Sequence, residues 1–112
     1  MHARLSLLLL ILLAGASSSV LALQMPIYEG TAVLAAGQDE QDDGALRAAL
    51  TNVLMKVSGD RSVTTDAGLG SVLGDARRIA LTVTTRTLAD GTRLLVANFD
   101  PGAVHDRLAT LG

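Results

Sequence analysis

Beyond the second residue the chain has one histidine, His105, and the sequence gives it few partners. On a helix its neighbours three and four positions away are Pro101, Gly102, Leu108 and Ala109, so no metal pair can form locally. A nucleophile such as Ser58 could reach it only through the fold, and no Gly-x-Ser-x-Gly elbow marks a hydrolase serine. Gly68-Leu69-Gly70-Ser71-Val72-Leu73-Gly74 misses the Gly-x-Gly-x-x-Gly spacing by one residue and follows no strand pattern, so a phosphate cradle is not expected. The acids Asp39, Glu40, Asp42 and Asp43 do not make a calcium loop, because the twelfth position counted from Asp39 is Leu50 rather than glutamate. Arg77, Arg78, Arg86 and Arg93 could hold an anion through bidentate pairing. The plainer reading makes them solvated charges that keep strand edges apart. Tyr28 and Phe99 are the only aromatics, too few for a stacking platform. No cofactor or metal is expected.

The elements that would position these groups follow from periodicity. Met25 to Leu34 reads as an opening strand, with Pro26 near its start. The acids at 39–43 suit a helix start, where the dipole favours negative charge. Leu46, Leu50, Val53, Leu54 and Val57 then form one apolar stripe on a helix that Gly59 can close. Val63 to Ala76 reads as a weaker helix capped by Asp66, with Leu69, Val72, Leu73 and Ala76 on one face and Gly68 and Gly70 weakening it. Arg78–Leu88 and Thr92–Phe99 flank Asp90-Gly91, a two-residue hairpin signal. With that turn, Leu88 faces Arg93 and Arg86 faces Leu95. The core face is then expected to carry Ile79, Leu81, Val83, Leu94 and Val96. Leu88, Leu95 and Phe99 fall among polar residues on the other face. Asp100-Pro101 opens a last helix striped by Val104, Leu108 and Leu111. The order β-α-α-β-β-α, without βαβ alternation, predicts an α+β two-layer domain, helices on one face of a small antiparallel or mixed sheet with a hairpin at about 78–99.

Composition places the chain. Its 112 residues carry 9 Lys+Arg against 11 Asp+Glu, 49% apolar residues and no Cys. Residues 1–22 have the three parts of a secretory signal peptide: Arg4 in a charged start, an apolar run from Leu5 to Leu13, and small residues ending at Ala22. Cleavage is expected after Ala22, with Ala16 as the alternative. The mature domain is then 23–112. Removing Arg4 leaves 8 basic and 11 acidic residues, a formal −3 that does not suggest a nucleic-acid partner. Without cysteine there is no lipid anchor behind the leader, and no later apolar run reaches membrane length. A periplasmic or otherwise exported soluble protein is expected.

Tyr28-Glu29, the run from Ala45 to Val57-Ser58-Gly59, and Leu95-Val96-Ala97-Asn98-Phe99-Asp100-Pro101-Gly102-Ala103-Val104 together resemble a bacterial exported family, domain of unknown function 2066. The resemblance covers most of 26–112 and looks like the family's N-terminal part. It implies an envelope protein without an assigned activity, and it carries over no catalytic residue.

These readings converge on a non-catalytic domain that touches an envelope protein through a surface of Leu88, Leu95 and Phe99 with Arg86 and Arg93. A small ligand-binding protein or enzyme using the arginines and His105, and a shortened paralogue without a site, are the alternatives.

Overall fold

The computed structural model describes residues 26–111. The leader expected at 1–22 lies outside them. The strand anticipated from Met25 begins later, as β1 (Glu29–Leu34). Asp42 opens α1 (Asp43–Ser58) by accepting the Ala45 N–H at 2.8 Å, and Gly59 closes it in the left-handed conformation, φ 69°. The stripe buries Leu46, Leu50, Val53 and Leu54 completely or nearly so, and Val57 packs at its margin.

The second expected helix is broken into three pieces. A 3-10 turn (Arg61–Thr65) is followed by α2 (Leu69–Gly74) and the single turn α3 (Ala76–Ile79). Asp66 does not cap a continuous helix. Its carboxylate accepts the Gly68 N–H two residues on, and that bend diverts the backbone. Val63, Val72, Ala76 and Ile79 still reach the core, so each piece is held by what it buries. The chain returns through β2 (Ala80–Thr87) and β3 (Arg93–Phe99), then α4 (Pro101–Thr110), whose first turn Asp100 caps through the Ala103 N–H.

The three strands form one antiparallel sheet in the order β1-β3-β2, with the helices on one side, so the expected α+β architecture is the observed one. The hairpin register is not the expected one. Leu88 donates to the Thr92 carbonyl at 2.8 Å and Gly91 donates to Leu88 at 3.0 Å, with Gly91 at φ 89°. The loop is therefore Ala89-Asp90-Gly91, three residues whose last is left-handed, instead of a two-residue turn. Arg86 consequently faces Leu94, and Thr85 faces Leu95. A one-residue slip sends every side chain of β3 to the opposite face. Leu95, Ala97 and Phe99 point into the helix layer with Val83, while Leu94, Val96 and Asn98 lie on the open face. An irregularity between Ala80 and Thr82 ends the regular register of β2 and leaves Leu81 exposed.

One position fixes how tightly the layers meet. At Gly30, on β1, a Cβ would lie 2.1 Å from the Ala49 carbonyl oxygen of α1. Only a glycine allows the strand to sit against the helix backbone.

Candidate interaction surface

The structure separates the residues expected to form one surface. Leu95 and Phe99 are 0% and 1% exposed and belong to the core that β3 forms against α1, so neither can meet a partner. The physical reason is the three-residue loop and the face reversal it imposes. Arg93 is partly buried, and its guanidinium donates to the Gln38 carbonyl at 3.0 Å, tying the β1–α1 connection to the start of β3. Leu88, 40% exposed, stands at the hairpin end. Arg86 lies on the open face, where it reaches Glu29 at 3.9 Å. Those two residues belong to the outer strands, so the pair spans β3. The open-face residue midway between their rows is Val96, which is only 4% exposed with no helix above it. Asn98 donates to the Oγ of Thr82, its direct cross-strand partner, at 3.1 Å.

The chemical groups are likewise committed apart from one another. Arg77 pairs with Asp43 at 3.1 Å and also donates to the Glu40 carbonyl, while Arg107 pairs with Asp75 at 3.2 Å. His105 Nε2 meets the Tyr28 hydroxyl at 2.8 Å, with the rings edge to face. Their separation of 77 positions in the chain leaves no local signal of this contact. Ser58 Oγ bonds the backbone of Met55 and Asp60 and makes no hydrogen bond to His105. Asp60 accepts from Ser62 side chain and backbone, which holds its carboxyl below the usual aspartate range. It lies between two shallow grooves of about 410 and 440 Å³, the first beside Met55 and Lys56, the second beside Val63 and Leu108. Among the described residues no three His, Asp or Glu side chains gather to hold a metal ion.

The two sheet edges differ in length and in one contact. Phe99 donates to the Tyr28 carbonyl, so alternation turns the backbone groups of Glu29 outward along β1. Lys56, near the end of α1, donates to the Glu29 carbonyl and covers that end of the edge, while Thr31 and Val33 stay exposed. β2 has no such guard. Because Leu88 and Thr92 are a hydrogen-bonded pair, counting in twos gives the backbone of Arg86, Thr84 and Thr82 to β3 and turns that of Val83, Thr85 and Thr87 outward. Among the described residues no hydrogen bond reaches those outward groups. Thr82, Thr84 and Arg86 are exposed on the open face, and Thr85 and Thr87 are exposed even on the helix side, because the helices cover β1 and β3 and stop short of β2.

Fold and surface together define a small two-layer α+β domain whose longer edge strand, the eight-residue β2, is free along its outer side. The chain belongs to a family known only as a domain of unknown function (DUF8605), whose pattern matches residues 22–112. The family shown is thus an uncharacterised domain, as the sequence implied, and the match gives no support to domain of unknown function 2066 in particular. No curated protein and no solved structure matches the chain. No described helix is long and apolar enough to cross a membrane.

Proposed function

We propose that this chain is an exported periplasmic domain, 23–112 after removal of its leader, that works by protein contact through the free edge of β2. The observation that carries the reading is the outward row of backbone donors and acceptors at Val83, Thr85 and Thr87, on a strand exposed along its open face and, at Thr85 and Thr87, on its helix side. An edge of this kind accepts an added strand, with main-chain hydrogen bonds supplying affinity and alternate side chains supplying specificity. β2 carries one charge, Arg86, and no proline, so it lacks most of the devices that normally blunt edges. The dispersal of Arg77, Arg86, Arg93, Ser58 and His105 into separate contacts supports a non-catalytic role over one built on an arginine cluster.

The test is a photo-reactive side chain placed at Thr85 in the full chain, expressed in its own host. Export with processing at Ala22 or Ala16, together with a discrete crosslinked protein adduct from position 85 and none from exposed Arg47 on α1, is the expected result. A chain retained unprocessed in the cytosol, or one that gives the same adducts from both positions, would remove the reading.

A further inference from the structure

The outer edge of β1 meets the chain's own upstream segment. Glu29 turns its N–H away from β3 and donates it to the Pro26 carbonyl at 3.4 Å, so the turn sets Pro26 on the outer side of β1. Only Ile27 and Tyr28 lie between, as in a hairpin with a two-residue loop. The residues flanking such a loop exchange two hydrogen bonds, but proline has no N–H to return. Lys56 donates to the Glu29 carbonyl in its place. We infer that residues 22–25 fold back antiparallel along β1 as a fourth strand, on the edge opposite β2.

The turn fixes the register. With Pro26 opposite Glu29, Gln24 stands opposite Thr31 as the next hydrogen-bonded pair, and Ala22 opposite Val33. Thr31 and Val33 are the β1 residues whose backbone groups face outward, and among the described residues no hydrogen bond reaches those groups. Both are exposed, Val33 to 69%. Side-chain alternation agrees with this pairing. Leu23 and Met25 fall on the helix side, opposite Ala32 and Gly30, while polar Gln24 falls on the open face beside Thr31. Gly30 has no side chain to oppose Met25, and the groove beside Met55 and Lys56 opens at this edge, where Lys56 comes round to Glu29. The family pattern begins at residue 22, the position that reaches Val33 near the end of β1. Ile27 and Tyr28 both have negative φ, which splays a two-residue hairpin, so the pairing is confined to the few residues next to the turn. The inference does not rest on the contact reading; with β1 closed in this way, β2 is the edge left for a partner.

Amide hydrogen exchange on the full chain isolated from its own host, its first residue fixed by mass, tests the added strand. The Thr31 N–H is expected to exchange at least tenfold more slowly than the same N–H in Gln24→Pro, which removes the donor to the Thr31 carbonyl. If the chain begins at Leu23, Val33 has no partner and its N–H exchanges freely; if it begins further upstream, both are slow. The chain contains no cysteine, so Gln24→Cys with Thr31→Cys introduces the only two thiols. Their Cα atoms, as a hydrogen-bonded pair, are about 5.5 Å apart, within the range a disulfide spans. Gln24→Cys with Val33→Cys makes a diagonal pair about 7–8 Å apart, beyond that range, and should close at least tenfold more slowly under mild oxidation. All these positions lie outside the buried core, so circular dichroism should stay native in each variant. Equal Thr31 exchange in wild type and Gln24→Pro, or equal closure of the two cysteine pairs, overturns the added strand.

Discussion

Replacing Gly30 with alanine is the sharpest probe of how the sheet meets its helix. The new Cβ would stand 2.1 Å from the Ala49 carbonyl oxygen, 2.7 Å from its carbon and 3.0 Å from Val53 Cγ2. The nearest two atoms are backbone, so no rotamer change relieves them. To restore about 3.4 Å of ordinary contact, α1 must withdraw about 1.3 Å from β1, and a gap of 0.5–1 Å already forfeits a quarter to a half of each dispersion contact. The contacts at stake include Leu46, Ala49, Leu50 and Val53, all essentially sealed. Overpacking of this kind costs about 1–3 kcal/mol, against about 0.4–1 kcal/mol returned by the stiffer unfolded chain. Because the obstacle is a helix backbone, the upper end applies, and a net loss of about 2 kcal/mol is expected. For a domain of this size that is a fall in Tm of about 8–16 °C. Thermal unfolding followed by circular dichroism reads it directly. Adding Val53→Ala should not rescue the variant, since the carbonyl remains. A Tm equal to or above wild type would show that the layers are not in close contact at Gly30 and that the packing argument is wrong.

Gly70 gives the opposite outcome for the same substitution. It lies within α2 with open space where a Cβ would stand and no positive φ, so Gly70→Ala should raise stability by about 0.5–1 kcal/mol; unchanged or lower urea resistance would count against α2 being helical there. Phe99→Ala should cost about 3–5 kcal/mol and Phe99→Lys should unfold the domain, so retention of native circular dichroism by the lysine variant would contradict the observed face of β3. Asp60 and Asp90 both have lowered proton affinity from hydrogen bonds to Ser62 and Thr92. Each therefore contributes stability that is present above the unfolded aspartate's titration and is lost as pH falls through the lower folded one. Carboxyl NMR titration should find both midpoints below that of a free aspartate, and a midpoint at or above it would remove the Asx bonds from the account.

Much of the local structure was legible in one dimension. The α1 stripe, the Asp100-Pro101 start of α4 and the left-handed Gly59 depend on neighbours three or four residues apart, and such short-range constraints survive without knowledge of the fold. The layer architecture followed from element order. The broken second helix was partly visible in Gly68 and Gly70, but the bend made by the Asp66 carboxylate was not.

The faces of the hairpin needed tertiary information, for a specific reason. Asp90-Gly91 is compatible with both a two-residue and a three-residue loop, and the choice moves Leu95 and Phe99 between surface and core. Either face of β3 carried enough apolar residues to be plausible, so only docking against α1 decided which was buried. The Tyr28–His105 contact, the Arg86–Glu29 span over Val96 and the unguarded edge of β2 likewise bring together residues far apart in the chain. Sequence determined most of the elements, because their signals are local. Packing decided the core face and the free edge, because both depend on where a helix of finite width stops over the sheet.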